Sequence, residues 1–519
     1  MSIAISNLHS NFSKTKYNIY YHYFKYFLTI TLSAFLMSYS LYSESTLVAL
    51  FALFSFMYLF TIPLSFLSQL LTYSLFFIFF LSHSSYWLVY CLSDFSGLSF
   101  SLSVCFLFLV FIPFSIIMSL PCFLFQRFNN KYKFFYSLSF FLILFDYLRM
   151  HSFLAAPWLF YGTIPMNFSF FKLFYSYGGV FFTGYVCLRT FEVLVNVING
   201  RIDKDGRYLL LFFVFSSVSL ASLYVFSLLS PHSGPATKPL RINLIQPNFS
   251  HLELRDPMID WQTSLHLLSL NQKSSHYVNV LPEGILSLSK SQLSLSDLEK
   301  SQFLQNSILG LNYFSDSGFN PLLIGTNQVH GRYVKQHLVP FGEYLPFSNL
   351  LKPYIAYFDN HRTAAGNRSA FSLLTYSGFK LYPLICYDLF FPLNHKSFIH
   401  SSDAIIAIAE NTWYRDSVFQ RLFLKAAKIR ALEAQTPLLL DMNRGHTSHI
   451  DQYGRVESSL PYDTRSTLNT TVYKKNQQYP PFYSYLSDGF IVFLLFLFET
   501  TTLVYFNILF KRDNHLNKT

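Results

Sequence analysis

The chain has 519 residues, of which 52% are hydrophobic and only 13% are charged. Soluble globular proteins carry about 25% charged residues, so this composition excludes a wholly soluble protein and predicts that part of the chain lies in lipid. The net charge of +11 is not accompanied by a basic and aromatic binding module, so we predict that the protein does not bind nucleic acid.

Eight apolar stretches are long enough to cross a bilayer, which takes about 20 residues of helix. They lie at roughly 26–42, 46–66, 68–91, 98–126, 134–150, 171–196, 208–230 and 489–510. Eleven Lys and Arg residues beside them form four clusters: Lys14 and Lys16; Arg127, Lys131 and Lys133; Arg201, Lys204 and Arg207; Lys511, Arg512 and Lys518. Eight crossings place all four clusters on one side, and basic loops remain in the cytoplasm. We therefore predict a multi-pass membrane protein with both termini in the cytoplasm.

The residues between the seventh and eighth stretches, 231–487, are predicted to form a separate domain outside the cytoplasm. Seven runs have the composition of strands: "LRINLIQPN", "YVNVLPE", "PLLIGTN", "FSLLTYSGFKLYPLICYD", "DAIIAIAENTW", "TPLLLDMN" and "HTSHIDQYGRV". Many carry Ile, Leu and Val at consecutive positions, as strands buried on both faces do. The stretch 417–435 has apolar residues at helical spacing. These elements indicate a layered α/β sandwich, between a seven-span membrane domain (1–230) and an eighth span with a cytoplasmic tail (488–519).

Cys386, in "LYPLICYDLFFP", is the one cysteine that lies outside the apolar stretches. A lone thiol in a water-exposed domain has no disulfide partner there, so it is either an inert buried residue or a nucleophile. It follows a strand-like run, and a nucleophile at the end of a buried strand can sit on a sharp turn, with the next backbone N–H directed at an oxyanion. On this string alone both interpretations stay open.

Two further residues supply the base and the cation that acyl transfer through a thioester needs. Glu283, in "NVLPEGIL", follows apolar residues, where desolvation would suit a carboxylate to general-base work; the alternative is an acid on a surface turn. Lys335, in "GRYVKQHLVPFGEYLPF", would stabilise an oxyanion and favour the thiolate; the alternative is a surface lysine. Glu343 would orient Lys335 or assist proton transfer, and His337 is interpreted as structural.

The sequence predicts no cofactor and no metal. It contains no P-loop, HExxH, CxxC or Gly-rich dinucleotide motif. The two histidines of "HTSH", His446 and His449, are three residues apart. On a strand they would point to opposite faces, so they are not expected to share a metal ion.

Six strings follow one another in the order expected of a carbon–nitrogen hydrolase (nitrilase) domain: "PEG", "YVKQHLVPFGEYLPF", "LICYDLFFP", "AENTWY", "RALEAQTPLLLDMNRG" and "IDQYGRV". Joined to seven spans before it and one after it, this domain resembles the bacterial apolipoprotein N-acyltransferase family, and "HLVPFGEY" is specific to that branch. The resemblance implies an αββα sandwich inserted between spans seven and eight. It implies a triad in which Glu283 is the general base, Lys335 stabilises the oxyanion and Cys386 is the nucleophile. It also implies three supporting residues: Glu343, Tyr387 and Trp413.

The implied reaction moves an acyl chain from a phospholipid donor, through a thioester, to the α-amino group of a diacylglyceryl-cysteine apolipoprotein acceptor. Acyl chains hold both substrates in the bilayer, which fits an embedded enzyme. The resemblance implies the inner (cytoplasmic) membrane, with the catalytic domain on the periplasmic side, and we expect a monomer. One alternative is a membrane-tethered amidase that uses water, for which a single anchor would suffice. The other is a transporter or receptor, which would need more charged residues in its spans than Arg189, Glu192 and Glu499.

Three features depart from the family pattern. Asp388 stands where the family usually has Glu, Arg415 stands where it usually has Gly, and the segment between "LLIGTN" and "GRYVK" looks shortened. None removes a triad residue. Asp146, Arg149 and Trp158, in "FDYLRMHSFLAAPWLFYG", are expected near the outer leaflet. They form either an interfacial aromatic belt with a charge pair or contacts to a lipid headgroup.

Overall fold

The structure of the chain is a computed structural model. It describes residues 24–61, 64–95, 98–131, 137–153, 155–200, 239–250, 277–289, 299, 306–315, 318–344, 346, 371–475 and 481–516. The predicted seventh span (208–230) and residues 231–238 of the linker after it lie outside the described residues. So do seven of the basic residues used to predict topology: Lys14, Lys16, Lys133, Arg201, Lys204, Arg207 and Lys518.

The described α-helices fall into two groups. Those before the strands are α1 (24–42), α2 (Thr46–Thr61), α3 (Phe66–Ser84), α4 (Leu88–Phe95), α5 (Phe100–Lys131), α6 (Leu138–Met150), α7 (Ser169–Lys172) and α8 (Tyr175–Ile198). Later in the chain are α9 (Val418–Ala434) and α10 (Asp488–Leu516). Every predicted apolar stretch except 208–230 therefore overlaps a described helix.

Large apolar side chains on these helices face outward, among them Leu47, Phe51, Leu71, Leu109 and Phe493. Such a continuous apolar surface is unusual for a protein in water, and it is what contact with lipid tails requires. Among the described residues, three helices are long and apolar enough to cross a bilayer: Phe66–Ser84, Phe100–Arg127 and Tyr175–Ile198. The helices are those of a membrane protein, and the total of eight spans stays a prediction.

A buried group of charges joins α6, α8 and α10. Arg189 lies 3.5 Å from Glu192 and 3.9 Å from Glu499. The two carboxylates accept hydrogen bonds from backbone N–H groups at the start of α6, Glu499 from Ser137 and Glu192 from Ser139, both at 3.1 Å. Carboxylates are favourable at a helix N-terminus. The charged residues noted in the predicted spans are thus paired with one another and with a helix end, whereas a transporter would use such charges to line a path.

The domain between α8 and α10 contains thirteen described strands. They are β1 (Leu240–Gln246), β2 (Tyr277–Val280), β3 (Leu286–Ser289), β4 (Ser307–Ser315), β5 (Gly318–Thr326), β6 (Arg332–Val334), β7 (Leu374–Tyr376), β8 (Phe379–Ile385), β9 (Ala404–Ala409), β10 (Leu438–Met442), β11 (Ser448–Ile450), β12 (Val456–Ser459) and β13 (Ser466–Val472).

These strands form two sheets. The first has the order β13-β1-β2-β4-β5-β6, with β3 beside β4, and the second has the order β12-β11-β10-β9-β8-β7. Strands β8, β9 and β10 are parallel neighbours. Every residue of β9 and β10 is buried, because β10 contacts both β1 of the facing sheet and helix α9. The described part of the domain is therefore a two-sheet sandwich with a helix packed outside one sheet.

Much of this domain follows the sequence patterns. The predicted strand runs are confirmed as β1, β2, β5, β7, β8, β9, β10 and β11, and the helix predicted at 417–435 is α9. The predicted strand runs did not include β3, β4, β6, β12 or β13. Strand β13 reads "STLNTTV", is largely polar, and is held in place by antiparallel pairing with β1. The segment expected to be shortened joins β5 to β6 as a tight antiparallel connection over 327–331.

Helix α9 docks the sandwich onto the membrane helices. Lys425 is buried and its Nζ donates to the carbonyl oxygens of Ser40 and Ser43, at 2.9 and 3.2 Å, where α1 ends. Helix α8 is interrupted at Gly178–Gly179, which frees the N–H of Val180 to donate to Glu433 of α9 at 2.8 Å. The two parts of the molecule are therefore joined by specific polar contacts that are themselves buried.

Candidate active site

The three predicted triad residues come together from both sheets. Glu283 follows β2, Lys335 follows β6 of the same sheet, and Cys386 follows β8 of the facing sheet. Lys335 Nζ donates to Glu283 Oε1 at 2.9 Å, and both side chains are close enough to the Cys386 thiol to shift its pKa. All three residues are buried, with exposed fractions of 7% for Glu283, 1% for Lys335 and 5% for Cys386. The burial is inconsistent with a surface acid or a surface lysine.

The backbone at Cys386 forms the predicted sharp turn. Its φ is +48°, in the left-handed region that side-chain-bearing residues seldom adopt. A short 3₁₀ helix, Cys386–Phe390, begins at this residue, directly after the buried strand β8. Strained backbone of this kind is found at functional sites. An inert core cysteine would not need it, so the turn favours the nucleophile interpretation.

Glu343 completes a cage around the lysine. Lys335 Nζ donates to Glu343 Oε1 at 2.6 Å, and the other oxygen of Glu343 accepts the N–H of Val339 at 2.8 Å. Lys335 thus lies between two carboxylates, those of Glu283 and Glu343. Because a lysine ammonium has three donors and no acceptor, this arrangement fixes its direction and leaves one N–H for another group.

The charges in the site act on one another. Burial alone would lower the pKa of Lys335, but Cys386, Glu283 and Glu343 raise it well above its usual value. Burial raises the pKa of Glu343, with Glu283 adding to that effect and Lys335 opposing it. Burial also raises the pKa of the Cys386 thiol, as does Glu283, while Lys335 opposes them. The resting site therefore holds a charged lysine and a protonated thiol, and the thiol must lose its proton when it reacts.

Glu283 has a second partner that sequence patterns did not reveal. The backbone N–H of Glu410 donates to Glu283 Oε2 at 3.1 Å. Glu410 directly follows β9, which lies beside β8, so the ends of neighbouring strands supply both the thiol and this donor. A side-chain motif cannot identify a backbone donor. The signal was the position of "AEN" at the end of a buried run.

Asp388 ties the nucleophile turn to the segment after Lys335. Its carboxylate accepts the Tyr333 hydroxyl at 2.9 Å and the backbone N–H groups of Gln336 and His337, at 3.2 and 2.8 Å. His337 also stacks on Phe391, with ring centroids 4.0 Å apart. The aspartate reaches these groups although it is shorter than the glutamate of the family pattern.

The other two supporting residues lie where the sandwich meets the membrane helices. Tyr387 is buried next to the nucleophile, with its ring centroid 6.4 Å from that of Trp158. The backbone carbonyl of Trp413 accepts a hydrogen bond from the thiol of Cys91 in α4, at 3.1 Å. Two residues later, Arg415 pairs with Asp94 of the same helix through two hydrogen bonds of 2.8 and 2.6 Å.

Asp146 and Arg149 form a closed structural pair. Arg149 donates to Asp146 at 2.8 and 2.9 Å and to the carbonyl oxygen of Ala156 at 3.0 Å, and both charged residues are buried. Asp146 also accepts the N–H of Tyr161 at 2.8 Å. These contacts hold the loop after α6 in place. They also occupy the guanidinium of Arg149 and the carboxylate of Asp146, the charged groups that would otherwise bind a lipid headgroup. Trp158 donates to the Ser85 hydroxyl at 3.1 Å.

A cleft of about 650 Å³ is lined by Gln336 and Tyr387, the residues that directly follow Lys335 and Cys386, although no triad residue lines it. One wall is the end of α6 and the loop after it, and another is the start of α10. The remaining walls are 336–344, which follows Lys335, and 387–394, which follows Cys386. The volume is in the range of small-molecule sites. In the part of the chain that the structure describes, no three His, Cys, Asp or Glu residues are grouped as metal ligands would be.

The chain is similar to several known proteins. Residues 321–478 match the model of the Carbon-nitrogen hydrolase family. The apolipoprotein N-acyltransferase of Coxiella burnetii is 26% identical over 341 residues, which are 63% of this chain and 68% of that protein. That of Pseudomonas paraeruginosa is 29% identical over 330 residues, 61% of this chain and 63% of that protein. A carbon–nitrogen hydrolase superfamily protein of Xanthomonas campestris has a TM-score of 0.32 at 16% identity, covering 46% of this chain and 91% of that one.

The family match over residues 321–478 makes this part of the two-sheet domain similar to carbon–nitrogen hydrolases. Within that class, the predicted resemblance is confirmed: the chain is similar to apolipoprotein N-acyltransferases over about three fifths of its length, 63% and 61% in the two comparisons above. The matching region covers 68% and 63% of those relatives.

Proposed function

We propose that this protein transfers an acyl chain from a phospholipid to the α-amino group of a diacylglyceryl-cysteine apolipoprotein, giving a triacylated product. The observation that carries the proposal is the buried cluster of Glu283, Lys335 and Cys386, whose chain neighbours Gln336 and Tyr387 line a cleft that reaches the ends of membrane helices. Support for an apolipoprotein acceptor and N-acyl transfer comes from the names of the similar proteins.

In the first step, Glu283 takes the proton of the Cys386 thiol as the sulfur attacks the ester carbonyl of the phospholipid. Lys335, held between two carboxylates, stabilises the negative oxygen that forms, together with backbone N–H groups at the nucleophile turn. The C–O bond breaks, Glu283 returns the proton to the leaving oxygen, and a lysophospholipid departs. A thioester remains on Cys386.

In the second step, the free amine of the apolipoprotein attacks the thioester carbonyl. A C–N bond forms, the C–S bond breaks, and the proton lost by the amine passes through Glu283 to the sulfur. The resting thiol is restored, so no cofactor or metal is needed. Burial raises the pKa of the Cys386 thiol, so the neutral thiol is the form from which this cycle starts.

The location of the site supports lipid substrates. Acyl chains anchor both substrates, and moving a chain into water costs about 0.8 kcal/mol for each CH₂ group. Because the cleft is lined by the end of α6 and the start of α10, the reacting groups can enter it while the acyl chains stay in the bilayer, and that cost is avoided. We further propose that the protein is a monomer in the inner membrane of a bacterium, with the sandwich on the periplasmic side and both termini in the cytoplasm.

The experiment is an acyl-transfer assay with purified full-length protein, phospholipid vesicles and a synthetic diacylated lipopeptide. The lipopeptide is expected to gain the mass of one acyl chain, and Cys386→Ala should abolish that gain. Release of free fatty acid without any gain by the lipopeptide would favour a hydrolase that uses water. Transfer by Cys386→Ala at the wild-type rate would contradict the thioester route.

A further inference from the structure

One residue that lines the cleft has a buried side-chain oxygen without a hydrogen-bond partner in the part of the chain that the structure describes. Gln336, one of its lining residues, is only 8% exposed, and among the described residues its Oε1 has no hydrogen-bond partner. A buried acceptor without a donor is costly and rare in folded proteins. An acceptor of this kind on the wall of a cleft indicates that a bound molecule supplies the donor.

The orientation of the Gln336 amide is fixed by its neighbours. Its Nε2 donates to the carbonyl oxygen of Val334 at 2.7 Å, and its backbone N–H donates to Asp388. Exchanging the amide N and O would bring two oxygens to that same short distance, with no hydrogen between them. The oxygen is therefore the atom left for a ligand in the cleft.

Gln336 lies close to the nucleophile turn. Its backbone N–H donates to Asp388, two residues after Cys386, at 3.2 Å, and Tyr387, another lining residue of the cleft, directly follows Cys386. The wall of the cleft that holds Gln336 therefore adjoins the turn that would carry a thioester. The group must carry an N–H or O–H donor, because the atom that receives it is an acceptor only.

We propose that the cleft binds the acceptor substrate and that Gln336 Oε1 accepts a hydrogen bond from its primary amine. This inference rests on the proposed function. Of the two groups that react, the ester of the donor lipid has no hydrogen-bond donor at its reacting bond, whereas the amine of the acceptor does. The walls formed by 150–153 with Ala155 and by 487–489 lie where α6 ends and α10 begins, which suits a molecule with acyl chains in lipid and a peptide in water.

The hydrogen bond from the acceptor amine to Gln336 Oε1 positions the amine for the second step. It holds the amine nitrogen beside the thioester carbonyl and directs its lone pair at the carbon, as positioned reactants require. The C–N bond then forms, the C–S bond breaks, and the proton reaches the sulfur through Glu283 as described above. Gln336 itself neither gains nor loses a proton.

A matched pair of variants isolates the oxygen. Gln336→Met and Gln336→Glu both lose the donor to Val334, but only the Glu variant keeps an acceptor. The acyl-enzyme is formed with phospholipid, and its discharge by a diacylated lipopeptide is followed by intact-mass spectrometry. We expect Gln336→Met to discharge about 10-fold more slowly than Gln336→Glu at low lipopeptide concentration, because one hydrogen bond to an amine is lost.

A second comparison asks whether Gln336 binds the amine of the lipopeptide acceptor or the amine of a phosphatidylethanolamine donor; phosphatidylglycerol, which has no amine, is the control donor. Thioester formation is measured with vesicles of phosphatidylethanolamine and of phosphatidylglycerol, and the thermal unfolding of each variant is recorded. Slower thioester formation by Gln336→Met from phosphatidylethanolamine alone would assign the oxygen to the donor headgroup and overturn the proposal. Equal discharge rates for the two variants would overturn it as well. A wild-type protein that forms no thioester would overturn both this inference and the proposed function.

Discussion

Asp388 and His337 are joined by two hydrogen bonds: Asp388 Oδ1 accepts the backbone N–H of His337 at 2.8 Å and lies 2.9 Å from its Nδ1. This contact connects the turn that carries the nucleophile to the segment that carries the lysine. The two segments belong to different sheets, so the distance between Cys386 and Lys335 depends on it.

Asp388→Ala is expected to leave several buried N–H groups without an acceptor. We predict a loss of about 2–4 kcal/mol in the free energy of unfolding and a fall of at least 10-fold in acyl transfer. Asp388→Asn keeps one acceptor oxygen and should be less severe in both respects. Unfolding in detergent and the acyl-transfer assay measure these effects. Wild-type activity in Asp388→Ala would show that the connection does not position the site.

Lys425 is expected to be a major contributor to the docking of the sandwich on the membrane helices. Lys425→Met removes the donor to the carbonyl oxygens of Ser40 and Ser43, which are part of a buried interface. We predict a loss of about 2–4 kcal/mol. Lys428→Met is the control: Lys428 is also largely buried, but its partner Glu44 has a side chain that is 58% exposed and that water can solvate when the lysine is removed, so we predict a loss of about 0–1 kcal/mol. Equal losses in the two variants would contradict this account.

Glu410 should make stability depend on pH. Burial raises its pKa to about 7, whereas an unfolded glutamate titrates near 4.3. Between these values the folded protein binds more protons than the unfolded chain, so the free energy of unfolding falls as the pH rises from about 4.5 to 7. Glu410→Gln has no carboxyl group to ionise, so it avoids the cost of burying a charge at this position. It should be more stable than the wild type at pH 8, by on the order of 1 kcal/mol. The difference should shrink at pH 5, and an equal difference at both pH values would contradict the assignment.

Arg415 occupies a backbone conformation that suits glycine. Its φ is 47° and its ψ is −162°, a region that costs other residues about 1–3 kcal/mol. Its ion pair with Asp94 is partly exposed and contributes about 0–1 kcal/mol. Because the strain outweighs the pair, we predict that Arg415→Gly is more stable than the wild type by about 1 kcal/mol, while Arg415→Ala is less stable than Arg415→Gly. Thermal unfolding of the wild type and the two variants measures their relative stabilities. If Arg415→Gly were less stable than the wild type, the ion pair would contribute more than the backbone strain costs.

The sequence predicted the parts of the site that depend on single residues at strand ends. Glu283, Lys335 and Cys386 each follow a strand. Their side chains can therefore be predicted to lie close together if the ends of these strands do. The donor from Glu410 and the acceptor at Gln336 were not predictable, because a backbone N–H and an unpaired amide oxygen are defined by contacts and not by residue type. The same applies to Asp388, whose partners come from β6 and the segment after it.

The fold was predictable where burial was extreme. Strands β8, β9 and β10 carry consecutive apolar residues because they are buried on both faces, and the patterns identified them. Strand β13 is polar and more than 200 residues from its partner β1, so only tertiary pairing defines it. The Asp146–Arg149 pair was expected at an interface, yet it is buried, because Arg149 also binds backbone carbonyls of its own loop.

The most direct test of the central claim is intact-mass spectrometry of the full-length protein after incubation with phospholipid alone. We predict a mass gain of one acyl chain that neutral hydroxylamine removes and that Cys386→Ala never shows. A wild-type protein that binds phospholipid but carries no adduct would contradict a thioester on Cys386, and with it the mechanism proposed for this site.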